Sequence, residues 1–230
     1  MTIPLKPIET RRLYQLIADQ IRALIQRGDF PAGTRLPPER DLAAKLGVSR
    51  PSLREALVAL EIDGSVEIRM GSGVYACAQT VPAAAQTSSL GDSPTELMAA
   101  RAAVEGAIVT QAAARVTPEM LIKLREHLDA MRADIESRRV PTINDRLFHV
   151  TIAEIAGNSV LARVVGDLFE ERHSPLTERL RVRSENDASW SIALAEHEAI
   201  YEALEARDPL AAAAAMRTHL KASSDRWVGD

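Results

Sequence analysis

Four side chains in the second half of this sequence have the types and the spacing to share one ion. Asp145 and His149 are four residues apart, so a helix would bring the carboxylate and the imidazole to the same face one turn apart. His197 stands eleven residues before Asp208, and His219 eleven after it. If two helices fold back at Asp208-Pro209, both histidines return to the same height, roughly 16 Å from the turn at about 1.5 Å per residue. One oxygen and three ring nitrogens can thus converge. Water activation for hydrolysis, or oxygen chemistry at iron, is one use for such a set, and Glu198 beside His197 is the acid-base group that keeps this use open. No nucleophile or oxyanion device accompanies the set in sequence. His127 and His173 lack partners at matching spacing and read as surface or core histidines, with His173 able to border the same pocket. Arg101, with Glu105 one turn on, reads either as a clamp for a ligand's carboxylate or as half of an i,i+4 ion pair, the commoner case.

A second chemistry sits in the first half. Arg50 and Arg54 open a helical stretch whose far end carries Glu61 and Asp63. Cations and free backbone N–H groups at the leading end, with acids trailing, suit approach to a phosphate chain. Two arginines one turn apart also occur on ordinary solvated helix faces, so the neighbouring elements decide the matter.

Those elements are legible. Leu13, Ile17, Ile21, Leu24 and Ile25 recur at helical spacing from about Thr10 to Gly28. Two prolines and a glycine between Phe30 and Pro37 force a turn or extended connection. A short helix from Pro38 to Leu46 stops at Gly47, whose freedom at positive φ suits a tight turn. Ser49 or Ser52 can then cap a second helix that carries Pro51 in its first turn and runs through Leu53, Leu57 and Leu60 to Gly64. Helix, glycine turn and helix make a helix-turn-helix. Gly64 to Arg69 and Val74 to Cys77 read as short strands around Met70-Gly71-Ser72-Gly73, a β-hairpin wing whose glycines allow close approach to a sugar-phosphate chain.

Composition separates this part from the rest. Residues 1 to 78 carry eleven Lys/Arg against nine Asp/Glu, while the remainder carries seventeen against twenty-three, so the front is the half able to meet a polyanion. Residues 79 to 93 lack apolar periodicity and are rich in Ala, Ser, Thr and Gln, as a linker would be. Beyond it, Ser93-Pro94 and Thr117-Pro118 open helices by a cap followed by proline, and breaks follow at Pro141, Gly157-Asn158, Ser184 to Asp187 and Asp208-Pro209. The expected fold is mainly α: a winged helix-turn-helix over 1–78, a linker over 79–93, and an antiparallel all-α bundle of about six helices over 94–230. The single cysteine, Cys77, excludes an intramolecular disulfide and reads as a small packed residue near a strand end. No signal peptide or membrane span is legible, so a cytoplasmic protein is expected.

The ordered runs Leu36-Pro37-Pro38-Glu39-Arg40-Asp41-Leu42-Ala43 and Gly47-Val48-Ser49-Arg50-Pro51-Ser52-Leu53-Arg54-Glu55-Ala56-Leu57, followed by Gly64 and Gly71-Ser72-Gly73, resemble the GntR family of bacterial regulators. The resemblance implies DNA contacts at Arg40, Ser49, Arg50, Ser52, Arg54 and Gly71. Arg50 and Arg54 can supply forked donors to guanine edges or phosphates, and the serines suit phosphate oxygens. Met70 stands where the family more commonly has a polar or basic wing-tip residue.

Asp145-Arg146-Leu147-Phe148-His149, Gly157-Asn158, His197-Glu198-Ala199-Ile200 and His219 resemble the FCD effector domain of the fatty-acid-regulator branch of that family. By that resemblance Asp145, His149, His197 and His219 hold a divalent ion inside the bundle. Their donor set is compatible with zinc, nickel, manganese or iron. Six-coordination would leave two positions for water or a carboxylate, so a small organic or sugar acid is the implied effector, with Arg101 as a second clamp. A regulator that senses the ion itself, or a metal-dependent enzyme, are the alternatives. The partners expected are double-stranded operator DNA and a second copy of the chain, because paired half-sites multiply the contacts that one small winged domain can make.

Overall fold

The computed structural model describes residues 12–78 and 90–229, apart from the side chain of Val228. The expected helix start near Thr10 and residues 79–89 of the expected linker lie outside them. The chain divides into two compact units, Met1–Ser93 and Pro94–Asp230. No helix among the described residues is long and apolar enough to cross a membrane.

In the first unit, α1 (Leu13–Gln26) packs on α3 (Arg50–Ile62), with α2 (Glu39–Leu46) beside it. Ile17 and Ile21 of α1 and Leu53, Leu57 and Leu60 of α3 are buried together, the core that the helical spacing predicts. α1 also buries Arg22, whose guanidinium binds Asp19 and Asp63, each at 2.5 Å. Asp63 is the C-cap of α3, so this trailing acid is spent on fastening two helices. Between α2 and α3 the turn is built as its residues dictate. Gly47 takes φ 67°, Val48 N–H donates to Ala43 O at 3.1 Å, and Ser49 caps α3 by accepting from Ser52 N–H at 3.2 Å.

Strands β1 (Val66–Arg69) and β2 (Gly73–Ala76) form the expected antiparallel hairpin, with Val66 opposite Ala76 and Arg69 opposite Gly73. The Pro-rich connection before α2 does more than turn. Its Arg35 bridges Tyr75, Leu36 N–H donates to Val74 O at 2.8 Å, and Ala76 N–H donates to Thr34 O at 2.9 Å, so β2 is hydrogen-bonded on both edges. Cys77 is half-buried just past β2, with a free thiol.

Residues 90–93, the end of the expected linker, are strapped onto this first unit. Leu90 is buried, Gly91 O accepts from Arg12 Nη1 at 2.9 Å and from the Tyr14 hydroxyl at 3.0 Å, and Asp92 pairs with Arg12. Ser93 Oγ donates to Glu55 Oε2 of α3 at 2.7 Å, with both residues buried. Burial of Tyr14 raises its hydroxyl pKa, keeping it a donor.

The second unit is all helical: α4 (Pro94–Ala113), α5 (Pro118–Glu136), α6 (Thr142–Ile155), α7 (Ser159–Glu170), a 3₁₀ turn Glu171–His173, α8 (Pro175–Ser184), α9 (Asp187–Glu205) and α10 (Pro209–Val228). Side-chain caps from Thr117, Asn158, Asn186 and Asp208 start α5, α7, α9 and α10 at the expected breaks. There are seven α-helices where about six are expected, because His173-Ser174-Pro175 breaks the stretch after Gly157 once more. Pro175 cannot continue the preceding turn and instead occupies the first turn of α8. Phe148, Ile152, Leu124, Leu128, Val165, Phe169, Ile200, Leu204 and Met216 fill the core. α4 and α10 pack along an alanine-rich seam, close enough at Gly106 that a Cβ would meet the Arg217 stem at 3.4 Å.

Replacing Ser93 by alanine removes the bond to buried Glu55, and loss of such a partner costs about 1–3 kcal/mol. Urea unfolding followed by far-UV circular dichroism should show that loss, while a variant at exposed Thr34 should not.

Candidate metal centre and nucleic-acid interface

The four spaced residues meet. Each of Asp145, His149, His197 and His219 offers one ligand atom, and the four atoms lie within 4.8 Å of one another, all in buried side chains. α6 brings Asp145 and His149 to one face, and the hairpin of α9 and α10 at Asp208-Pro209 brings the rings of His197 and His219 to 4.2 Å between centroids. His197 Nε2 is 3.0 Å from Asp145 Oδ1 and 3.1 Å from His149 Nε2.

Each histidine has an outer neighbour at Nδ1, hydrogen-bonded for His197 and His219 and a charge contact without hydrogen-bond geometry for His149. His197 Nδ1–H donates to Ala193 O at 2.6 Å, His149 Nδ1 meets Glu105 Oε2 at 2.5 Å, and His219 Nδ1 meets Glu196 Oε2 at 2.8 Å. An imidazole that gives its Nδ1 proton outward presents the lone pair of Nε2 inward. Burial lowers the pKa of His149, and burial together with His197 lowers that of His219 to about 3, so both rings are neutral near pH 7. The Nε2 atoms of His149 and His197, 3.1 Å apart beside a carboxylate oxygen, form a cluster of acceptor-bearing atoms that a proton or a cation between them would hold together. The donor set therefore fits a divalent ion chemically as well as by count.

The carboxylates around the set are ionised despite burial. Glu105, which burial alone would raise, is lowered to about 2 because Arg101 and His149 outweigh it. In Asp145 burial is likewise overcome, chiefly by Arg172, and the pKa falls well below the usual carboxylate range. Glu196 falls to about 2 because its bonds to His219 and Arg226 exceed its burial cost. Arg172 grips Asp145 through Oδ2, leaving Oδ1 toward the histidines.

A pocket of about 310 Å³, open mouth included, adjoins the set. Asp145, His219, Arg172, Arg226 and Ser189 line it, and so do Trp190 and Trp227, the chain's two tryptophans. The buried Trp190 Nε1 and Arg172 Nε have no hydrogen-bond partner among the described residues. Arg101 does not line the pocket. Its Nε holds Glu105 at 2.7 Å and its guanidinium lies 4.1 Å from the Phe169 ring centroid. His173 is exposed and outside the pocket lining, and His127 is bonded to Thr151 at 3.2 Å. Glu198, the acid-base candidate, is tied instead to Arg125 and Arg132 at 2.7 and 2.6 Å. Sequence reasoning missed Glu196, Arg172, Arg226 and both tryptophans. Trp190 lies eighteen residues before Asp208 and Trp227 nineteen after it, so the fold-back rule that paired the histidines also pairs the indoles.

In the first unit, Ser49, Arg50 and Ser52 lie at the start of α3, where Arg50 is exposed and the two serine hydroxyls are 2.8 Å apart. Arg54, one turn on, is half-buried and pairs with Glu39 of α2 at 2.9 Å. Arg40 is exposed in the first turn of α2, beside Asp41 at 3.3 Å. Gly71 takes φ 70° at the wing tip, where Met70 is 85% exposed. The strands expected around that tip are paired, and Arg50 faces solvent.

A winged helix-turn-helix followed by an all-helical unit with an internal polar site is the build of a DNA-binding transcriptional regulator. Residues 13–76 match the bacterial regulatory proteins of the gntR family, and residues 96–222 match the FCD domain. The chain belongs to the GntR family, in the branch that carries an FCD domain, and is a regulator rather than an enzyme. Similar proteins include the Exu regulon transcriptional regulator of Escherichia coli K12, 33% identical over 93% of this chain and 83% of the relative. The Uxu operon transcriptional regulator of the same strain is 33% identical over 95% and 88%, and the HTH-type transcriptional repressor NanR of Klebsiella aerogenes 29% over 96% and 88%. Among solved structures, a GntR transcriptional regulator from Rhodococcus sp. RHA1 is similar at TM-score 0.50 and 25% identity over 94% and 97% of the two chains. Escherichia coli McbR/YncC is similar in fold at TM-score 0.51 and 20% identity over 92% and 95%.

Removing Arg172 leaves Asp145 as a buried charge with a lost partner, and breaking such a pair costs about 3–5 kcal/mol. The Arg172→Met protein should show that destabilisation in urea with chelator present, whereas Arg132→Met, at an exposed pair, should lose less than about 1 kcal/mol.

Proposed function

We propose that the second unit binds a divalent cation on Asp145, His149, His197 and His219, and that a small organic or sugar acid seated beside the ion controls the operator affinity of a homodimeric repressor. The observation that carries this reading is the convergence of four buried ligand atoms within 4.8 Å, with His197 and His219 fixed from outside. A bound cation would supply Lewis-acid positions to the carboxylate of the effector. Arg172 and Arg226, at the pocket wall, supply cationic donors for the same group. Trp190 offers an unpartnered N–H for a hydroxyl, and the two indoles offer apolar faces for the C–H side of a sugar ring. NanR is described as a repressor, which supports that sign of control here.

On the DNA side, Arg40, Ser49, Arg50, Ser52, Arg54 and Gly71 make the operator contacts. Arg50, exposed at the capped start of α3, reads base edges or phosphate with its fork. Two copies reading two half-sites provide the surface that specific binding needs.

Chelator-treated protein should take up about one equivalent of Zn²⁺, Ni²⁺ or Mn²⁺ in calorimetry, and His149→Ala with His197→Ala should abolish uptake. On the metal-loaded protein, an acid that is the effector should stabilise by about 2.7 kcal/mol at a hundredfold excess over its dissociation constant. A panel of aldonic, uronic and hydroxy acids read by thermal shift checks this. If metal alone changes operator affinity and no acid does, the ion itself is the signal. Arg50→Ala should weaken operator binding by at least about fivefold, the lower end of what one forked contact is worth, measured by fluorescence anisotropy. Unchanged affinity would remove α3 from the interface.

A further inference from the structure

The cation that lies against the wing glycine Gly73 does not come from the hairpin itself. Its own arginine, Arg69, is already engaged: the guanidinium pairs with Glu67 at 2.7 Å and stacks on Tyr75 at 4.3 Å from the ring centroid. Most cations among residues 12–78 likewise have an acidic neighbour, several of them at the surface, where the pairing is weak and leaves the cation open to a stronger anion. Arg12 pairs with Asp92, Arg22 with Asp19 and Asp63, Arg27 with Asp29, Arg40 with Asp41 and Arg54 with Glu39. Among residues 12–78, three cations have no ion pair with a described residue: Arg35, Lys45 and Arg50. Arg50 is already placed at the start of α3, and Lys45 lies in the last turn of α2.

Arg35 is held by packing. Its backbone is bridged to Tyr75, with the hydrogen bonds of Leu36 and Thr34 on either side, so its Cα is fixed along the outer edge of β2. Its exposed side chain crosses Gly73, the first residue of β2. A Cβ at that glycine would lie 2.6 Å from Arg35 Nε and 3.1 Å from Cζ. Glycine is favoured at 73 by its φ of 118°, and the missing Cβ leaves room for the guanidinium to lie against the backbone. A planar, always-charged fork resting against a wing glycine, with its backbone fixed and no described acid paired to it, is available to an external anion with several oxygens.

We propose that Arg35, lodged against Gly73, is a phosphate-contacting residue of the DNA interface and supplies the wing with its charge. The anion is a backbone phosphate of duplex DNA, beside the wing tip where Met70 and Gly71 are exposed. This rests on the wing facing DNA, as the family assignment implies, and adds a contact that the motif residues do not include.

The test uses the full-length, metal-loaded protein and a duplex of about 30 base pairs, long enough for two half-sites a helical turn apart, enriched from a random pool by the wild type. Each phosphate contact contributes about 0.9 to the slope of log affinity against log salt. Arg35→Gln should therefore bind more weakly than wild type, with its deficit shrinking about 3.5-fold per protomer contact between about 50 and 200 mM salt. Arg35→Lys should keep the wild-type slope, and Arg69→Gln should leave both affinity and slope unchanged. Far-UV circular dichroism and urea midpoints on each variant separate contact from folding. A wild-type slope for Arg35→Gln, in an experiment where Arg50→Ala does bind more weakly, overturns this inference alone. If neither variant changes binding, the whole DNA surface on this unit falls with it.

Discussion

A charge buried in a helical interior must be answered within hydrogen-bond reach, or the fold loses several kcal/mol for each one left over. The C-terminal bundle meets that constraint with one repeated unit. A carboxylate stands between an arginine and a histidine three times: Glu105 between Arg101 and His149, Asp145 between Arg172 and His197, and Glu196 between Arg226 and His219. These groups come from α4, α6, the 3₁₀ turn, α9 and α10, so four of the seven helices and one turn supply all the corners. The arrangement keeps the carboxylates ionised and the Nε2 atoms of His149 and His197 turned toward each other. The ligand set is thereby a by-product of how the bundle neutralises itself, which is why its geometry is narrow.

The N-terminal unit handles charge in the opposite way. It gives most of its described arginines an acidic neighbour and leaves Arg35 and Arg50 without one among the described residues, at places the backbone fixes: the edge of the wing and the capped start of α3. Pairing the rest limits the general attraction to any polyanion, and the remaining cations act by position. Arg54 shows the compromise. It lies one turn beyond Arg50, yet Glu39 holds it between α2 and α3, so it stiffens the helix pair while staying half exposed.

Much of this was legible in the residues themselves. Spacing gave α1 to α3, because Gly47, Ser49 and Pro51 act locally and need no distant partner. The distance of His197 and His219 from Asp208 gave the meeting of their rings, because a helical hairpin converts residue count into height. What was not legible depended on side-chain direction. Arg22 is a charged residue outside the apolar stripe of α1 and is nonetheless buried, since Asp63 lies across from it in the fold. Arg101 reads as a clamp for a ligand, or as half of an ion pair, and Glu105 claims it. The extra break before α8 was available in Ser174-Pro175, a cap-and-proline pair like those that open α4 and α5.

Residues 90–93 give the connector an anchored end. Through Gly91, Asp92 and Ser93 the chain is fastened to α1 and to the helix that carries Arg50, and α4 begins at the very next residue. A substitution at Arg12, Tyr14 or Glu55 therefore loosens the residues from which the helical unit departs, although none of the three belongs to that unit.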